Sequence, residues 1–185
     1  MASARLLAEN IRNAIVSGPV PELRPIEDIE NDPQTTGERI IAFAHKHLIV
    51  GDGPLIAQPL KLLDFQIAFI LAVFDNPAGT RYAYLSVAAR NGKTMLMAVI
   101  LLAFIAGPLR SRNVEVASGA MSRDQAALCF KSMQNIIGMS PDLQDVCAVT
   151  PSSKLIKSRT MNSSYQALSA DAKTGYGLSL IHISE

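Results

Sequence analysis

The sequence predicts a three-layer α/β core with parallel strands, preceded by N-terminal helices. The first observation is the order of the elements: a β-prone segment, a glycine loop, an apolar helix, a second β-prone segment and a second helix follow one another between residues 82 and 137. This order is typical of parallel strands joined by helices. The second observation is the unbroken apolar run from Met95 to Ala106, because a helix that is apolar on all sides is normally buried against a sheet.

The elements before the core are predicted to be helical. Residues 2–16 alternate apolar and charged side chains and predict an amphipathic helix, whereas residues 19–33 are rich in proline and acidic residues and indicate a linker or a wrapping arm. Thr35 and Glu38 have the spacing of a capping box, which predicts that a helix starts there. A further apolar stripe predicts a helix over residues 61–74.

The core elements follow in order. We predict a strand over residues 82–87, a loop over 88–92, and a helix from Lys93 to about residue 106. A second strand is predicted over residues 114–117, and we expect it to lie parallel to the first one, as a neighbour or near-neighbour. The helix from Lys93 should be buried against the sheet, because a run of twelve apolar residues is shorter than the roughly 20 that a membrane span requires.

The second half of the chain contains three further predicted elements. Ser122 and Gln125 form an S-x-x-Q capping box for a helix that reaches about residue 137. Pro141 is placed to occupy the first position of another short helix. Residues 146–169 contain short β-prone pieces separated by turn residues, which predicts a small antiparallel meander.

Composition narrows the classes of function. The 185 residues are enough for one domain with a core, and 17 basic against 16 acidic residues give a net charge of +1. Such a balance provides no general basic field, so a nucleic acid or membrane partner would have to be met by a local patch. Two cysteines fit a reducing compartment. His45 and His47 are two residues apart on a predicted helix and make a poor metal pair, and Cys129 is predicted to be a core residue.

The loop before the apolar helix carries half of a phosphate-binding motif. The pattern is G-x-x-x-x-G-K-[ST], and Gly92, Lys93 and Thr94 fill its second half, whereas Val87 stands where the first glycine is expected. The backbone N–H groups of residues 89–93 could surround a phosphate at the positive end of the helix dipole. The alternative is that the lysine and threonine merely begin a core helix.

Each side chain of the loop has a candidate role in this interpretation. Lys93 would reach the β- and γ-phosphates, and the hydroxyl of Thr94 would ligate Mg²⁺. Gly92 would let the backbone approach the phosphates closely, and Asn91 could stabilise the turn. Arg90 would add positive charge beside the phosphates.

The loop resembles that of the large terminase subunits of tailed bacteriophages, whose phosphate loops often read A-R-x-N-G-K-[ST] and commonly lack the first glycine. Further blocks resemble the same family in consistent order over residues 35–179. They are AQPLKL from Ala57, DFQIAFI from Asp64, GTRYAYLSVAARNGKT from Gly79, VASGAMSRDQAALCF from Val116, MSPDLQD from Met139 and YQALSADAKTGYGLS from Tyr165.

The resemblance implies a P-loop NTPase fold of the ASCE, RecA-like class, with ATP and Mg²⁺ as cofactors. It implies that Lys93 and Arg90 are catalytic and that Gln66 contacts adenine, although Gln66 is alternatively a surface residue of a helix. The family often has an arginine four residues before the loop lysine, where this chain has Ala89, so the charge is shifted by one place to Arg90. The expected nucleotide contacts run from Ala89 to Thr94 in addition to Gln66.

The resemblance also implies an activity and partners. The expected activity is ATP hydrolysis coupled to the translocation of double-stranded phage DNA into a procapsid, in the host cytoplasm and without a membrane. The expected partners are the portal protein, the small terminase subunit and further copies of the same subunit.

The expected division of the chain is an N-terminal helix and arm over residues 1–34, a partial ATPase domain over 35–179, and a non-native-looking tail over 180–185. We expect that these 185 residues stop before the Asp-Glu pair that such ATPases carry after a later strand and before the nuclease domain of the family. The expected consequences are an incomplete sheet, little or no ATP hydrolysis by these residues alone, and a poorly defined or detached tail after about Ser179.

Two other functions remain open from the sequence. One is a different P-loop machine, such as a helicase-like ATPase. The other is a non-catalytic α/β domain or a membrane-associated protein in which Gly-Lys-Thr is incidental. Asp171 and Lys173 lie in a polar loop for which a switch role or a role facing DNA is conceivable.

Overall fold

The computed structural model describes residues 23–120, 122–169 and 179–182, the last four as backbone. The chain divides into two compact units: residues 1–46 with 60–87, and residues 47–59 with 88–185. The helix predicted over residues 2–16 and the polar loop around Asp171 and Lys173 lie outside the described residues.

Helices form the first unit. They are α1 (Ile26–Asn31), α2 (Thr36–His47) and α3 (Asp64–Phe74). The predicted arm therefore contains one short helix, and the helix predicted over residues 61–74 begins three residues later than expected. Apolar side chains of the three helices are buried in this unit, among them Ile29, Ile40 and Ile70, each 0% exposed.

Two carboxylates close the N-terminus of α2. Glu38 accepts hydrogen bonds from the backbone N–H groups of Gln34 (2.6 Å) and Thr35 (3.3 Å), and the Thr35 hydroxyl accepts one from the Glu38 N–H (3.2 Å). The predicted capping box is thus confirmed. Asp75, at the end of α3, accepts from the Gly37 N–H and from the Thr35 hydroxyl, both at 2.7 Å. A Cβ atom on Gly37 would lie 2.7 Å from an Asp75 carboxylate oxygen, so glycine permits this close approach.

A buried histidine joins α1, α2 and the segment before α3. The His45 Nε2 atom accepts from the Leu62 N–H at 3.0 Å, so its Nδ1 atom carries the proton and donates to Glu30 at 2.6 Å. Lys61 donates to the same Glu30 oxygen at 2.7 Å. Burial lowers the pKa of His45, and the hydrogen bond from Lys61 is the main cause of the lowered pKa of Glu30. This histidine is therefore neutral and structural.

The strand predicted over residues 82–87 is absent. The segment belongs to no strand of the described sheet, and Tyr82 and Tyr84 are 82% and 92% exposed. The expected parallel pairing with the strand after residue 114 is therefore wrong. The physical reason is that the strand after residue 114 is already hydrogen-bonded to another strand on each side. A segment with high β-propensity forms no ladder unless a neighbouring strand is available.

The second unit contains a five-stranded sheet in the order β2-β3-β4-β1-β5. Its strands are β1 (Glu115–Ala120), β2 (Cys147–Thr150), β3 (Leu155–Ser158), β4 (Ser164–Ser169) and β5 (Ser179–His182). β1 is parallel to β4 and β5, with Val116 opposite Tyr165, and β2, β3 and β4 are successively antiparallel. The predicted α/β class, the second strand and the antiparallel meander are confirmed.

The last described strand lies at the edge of the sheet. Residues 179–182 pair with β1, and the residues on either side of this strand lie outside the described part of the chain. The side of β1 that faces away from β4 presents backbone N–H and C=O groups, and a further segment can pair with such groups.

The helices of the second unit are α4 (Lys93–Ile105), α5 (Arg123–Met139) and α6 (Pro141–Val146), with a 3₁₀ turn at Pro151–Ser153. α4 is buried as predicted, with Leu96, Leu101 and Ile105 each 0% exposed. The Ser122 hydroxyl accepts from the Gln125 N–H at 3.2 Å, which confirms the cap of α5, and Pro141 begins α6.

Both long helices of the second unit lie on the same face of the sheet. α4 and α5 pack against each other, and both contact β4, which helices on opposite faces could not do. Within the described residues of this unit the arrangement therefore has two layers, one helical and one sheet. The expected third layer is not present there, because the opposite face carries exposed polar side chains such as Lys157 and Gln166.

A polar triad is buried between the sheet and α5. The hydroxyls of Ser118 on β1 and Tyr165 on β4 are 2.8 Å apart, and Tyr165 is also hydrogen-bonded to Cys129 on α5. All three residues are at most 1% exposed. Burial raises the pKa of the Cys129 thiol to about 12, so the thiol stays protonated, and its predicted core position is confirmed.

In the parts of the chain that the structure describes, no helix has both the length and the apolar character needed to cross a membrane. The same residues contain no group of three or more His, Cys, Asp and Glu side chains arranged for a metal ion. His45 pairs with Glu30, whereas His47 pairs with Asp142 at 2.7 Å.

Candidate functional site

The loop before α4 turns sharply through two left-handed residues. Arg90 has φ 64° and Gly92 has φ 79°, whereas Asn91 between them does not have positive φ. Left-handed residues that alternate with ordinary ones turn successive backbone N–H groups toward a common concavity, the arrangement found in many anion sites. An arginine at positive φ is uncommon, so its backbone is held there by the surrounding loop.

Gly92 is the N-cap of α4 and leaves that end of the helix without a side-chain cap. Its carbonyl accepts the first helical hydrogen bond, from the Leu96 N–H at 3.0 Å. The first turn contains no acidic residue, so no carboxylate of the helix itself balances the positive end of its dipole. An anion would therefore be stabilised at this position.

The side chains of the motif differ in exposure. Ala89, Arg90 and Asn91 are exposed, whereas Lys93 and Thr94, the first two residues of α4, are half-buried. The loop therefore presents an exposed positive charge at its outer part, and a half-buried lysine and hydroxyl at the start of the helix.

The topology places this loop at a defined edge of the sheet. Residues 106–114 connect the end of α4 to the start of β1, so the start of α4 lies toward the end where β1 finishes. Ser122 begins α5 directly after β1 at this same edge. The carboxyl ends of parallel strands are where α/β proteins bind their ligands, and this edge has the two helix N-termini of α4 and α5.

Gln66 lies in the first unit, whereas the loop lies in the second. Its side chain is buried, with the residue 4% exposed, and its Oε1 atom accepts from the Leu63 N–H at 2.9 Å. The alternative of a surface glutamine is therefore wrong. The structure brings the residues from Ala89 to Thr94 together and assigns Gln66 to the other unit.

Four basic residues that belong to no recognisable sequence motif lie at the edge of the sheet where β1 begins. Arg110 and Arg112 precede β1, and Lys157 and Arg159 lie at the end of β3; all four are exposed. The R-S-R spacing of the first pair is visible in the sequence, but its proximity to the second pair depends on the pairing of β4 with β1 and β3.

The fold and the loop together define an α/β protein in which a helix starts with Gly-Lys-Thr. The glycine is the N-cap of that helix, and the helix start would stabilise a bound anion. Comparison with known proteins places the chain more closely. The sequence is 50% identical over 147 residues to the large terminase subunit of Enterobacteria phage HK97, a match that covers 80% of this chain and 29% of that protein. The crystal structure of the HK97 bacteriophage large terminase matches with a TM-score of 0.73 and 47% identity, over 80% of this chain and 31% of that one.

The chain is thus a homologue of the phage terminase large subunit, as the sequence blocks predicted. It spans less than a third of the length of the relative that it matches. No protein-family model matches the sequence.

Proposed function

We propose that this chain forms the nucleotide-binding part of a DNA-packaging motor, in which ATP hydrolysis drives double-stranded phage DNA into a procapsid. The observation that carries the proposal is the Gly92 cap of α4, which has no side-chain cap and no acidic residue in its first turn, next to Lys93. The homology to a terminase large subunit supports the choice of reaction.

Lys93 is the proposed catalytic cation. Phosphoryl transfer from ATP to water spreads negative charge over the oxygens of the transferred group, and catalysis consists mainly of positioning and charge stabilisation. A lysine at the first position of α4 would neutralise this charge, and the N–H groups of residues 89–93 would hold the phosphates in place.

The donor set also fits a magnesium-nucleotide complex. Mg²⁺ usually keeps several waters and is held by one or two protein oxygens together with phosphates, and the Thr94 hydroxyl would be such an oxygen. When bound, the metal would neutralise charge on the phosphates.

Arg90 is proposed to act on the transition state from the exposed side of the loop. Because alanine and arginine both have a Cβ atom, Arg90→Ala leaves the strain of the left-handed position, φ 64°, almost unchanged while it removes the guanidinium together with its aliphatic stem. We expect this change to lower ATP turnover more than ATP affinity, and an unchanged rate would assign Arg90 to the surface.

Gln66 remains a separate proposal that rests on the family resemblance, as the adenine contact. The same applies to the portal protein, the small terminase subunit, self-association and action in the host cytoplasm, which would follow if the whole protein is a packaging motor.

The test is ATP turnover by a full-length large subunit that carries these residues. Lys93→Ala should reduce turnover to background, a loss on the order of 10²-fold or more, because the charge on the transferred group is no longer balanced. Lys131→Ala, an exposed lysine of α5, is the matched control and should retain the parent rate. Parent-like turnover by Lys93→Ala would remove the phosphate loop from the proposal.

A further inference from the structure

A basic patch lies on the second unit, at the edge where β1 begins. It consists of four exposed residues from two loops and a strand end, namely Arg110, Arg112, Lys157 and Arg159. None of the four forms an ion pair with another described residue. The chain as a whole is nearly neutral, with a net charge of +1, so a local cluster of this kind is a departure from the average surface.

Hydrogen bonds hold the two loops of this basic patch together. The Asn113 N–H donates to the Met161 carbonyl at 3.1 Å, and the Asn162 amide donates to the Asn113 side-chain oxygen at 2.9 Å. Both asparagines have left-handed backbones, with φ 59° and φ 53°. Each loop is thus fixed against the other, which reduces the entropy lost when a ligand binds across both.

The neighbouring groups leave an excess of positive charge. Glu115 begins β1 and is exposed, and Asp145 precedes Val146, whose carbonyl accepts from the Arg159 N–H at 2.9 Å. These two carboxylates oppose four cations. The Arg110 guanidinium donates one hydrogen bond, to the Ala106 carbonyl at the end of α4, at 3.5 Å. This contact is long and leaves the other N–H groups of the guanidinium for a ligand.

The location differs from that of the phosphate loop. The basic patch lies where β1 begins, whereas the loop from Ala89 to Thr94 lies toward the edge where β1 finishes. A ligand at the patch is therefore distinct from the nucleotide. Guanidinium groups form two parallel hydrogen bonds to phosphate oxygens, so three arginines in two interlocked loops suit a ligand with several phosphates in a row.

We propose that this basic patch contacts the phosphate backbone of double-stranded DNA. The inference rests on the proposed function, because DNA enters there as the substrate that the motor moves. A translocating protein requires contacts that hold any sequence equally, and contacts to phosphates carry no sequence information. Exposed arginines at the edge of the sheet satisfy that requirement, because they can contact phosphates without contacting base edges.

The test is the salt dependence of binding between a full-length large subunit and a blunt DNA duplex. Each phosphate contact that is lost should reduce the slope of log K against log salt by about 1. The triple change Arg110→Gln, Arg112→Gln and Arg159→Gln should therefore lower the slope by about 3 and weaken binding roughly tenfold or more at low salt. DNA-independent ATP turnover should be unchanged.

Two further variants make the result interpretable. The control Arg39→Gln, Lys46→Gln and Lys131→Gln removes three exposed cations elsewhere and should keep the parent slope. Replacing the same three arginines by lysine keeps the charge and should restore most of the slope, even if the glutamine variant were poorly folded. A parent slope in the glutamine variant, or equal losses in the control, would overturn the proposal.

The outcome is separable from that of the proposed function. Lys93→Ala should bind DNA with the parent slope, because it lies at the other edge of the sheet. If Lys93→Ala kept its ATP turnover while the arginine variant lost its DNA slope, the nucleotide proposal would fail and the DNA surface would stand.

Discussion

The N-termini of α2 and α4 are built in opposite ways. At α2, Glu38 and Asp75 accept hydrogen bonds from three backbone N–H groups, and the Thr35 hydroxyl donates to the Asp75 carboxylate and accepts from the Glu38 N–H. At α4, the N-cap is a glycine, the first residue is basic and the first turn contains no acidic residue. The α2 start thus has carboxylates as its caps, whereas the first turn of α4, where we propose that a phosphate binds, contributes none.

Removing Asp75, one of the two carboxylates at the start of α2, should have the largest effect on stability. Asp75→Ala deletes two hydrogen bonds to a carboxylate and should lower the free energy of unfolding by about 2–3 kcal/mol. Urea unfolding of the 185-residue chain measures this loss. Lys93→Ala deletes no cap of a helix start and should lower the same free energy by less than Asp75→Ala does, so equal losses in the two variants would contradict the contrast between the two helix starts.

The buried His45 resembles the start of α2, because its hydrogen-bond partners also belong to the first unit. The pKa of His45 is lowered from 6.5 by burial, so the unfolded chain binds a proton that the folded chain resists. Stability should therefore fall as pH drops from about 6.5 toward the lowered pKa, by at most about 1.4 kcal/mol per pH unit. In His45→Gln, which can still accept from the Leu62 N–H, this slope should flatten; an identical slope would mean that another group titrates.

The start of α5 is intermediate, because a neutral hydroxyl caps it. Ser122→Ala removes the bond to the Gln125 N–H, 3.2 Å long and exposed, and should cost about 1 kcal/mol. Thermal unfolding of this variant beside Asp75→Ala checks the order of the two effects. A larger loss for Ser122→Ala would show that the carboxylates at α2 are not the stronger caps.

Some helix boundaries could be predicted from the sequence, because they depend on residues that are close together in the chain. The apolar run fixed α4 to within one residue of its observed end at Ile105, and the spacing of Thr35 with Glu38 and of Ser122 with Gln125 identified two helix starts. Each of these signals is complete within a few residues of sequence.

The contacts that the sequence did not reveal join residues far apart in the chain. Asp75 caps a helix that begins 39 positions earlier at Thr36, and the basic patch requires β4 to lie between β1 and β3. The segment over residues 82–87 has strand-like composition but is not part of the described sheet. Strand pairing depends on which segments the fold brings side by side, and β-propensity carries no information about that.

The central claim is that a phosphate binds at the N-terminus of α4 and not at that of α2. Backbone amide NMR shifts during a titration with Mg-ADP test it most directly, since each helix start reports separately. We expect the amides of Gly92, Lys93 and Thr94 to shift with a common saturation curve, those of Gly37 and Glu38 to stay in place, and the shifts to vanish in Lys93→Ala. Saturable shifts at α2, or none at α4 at millimolar nucleotide, would contradict the account.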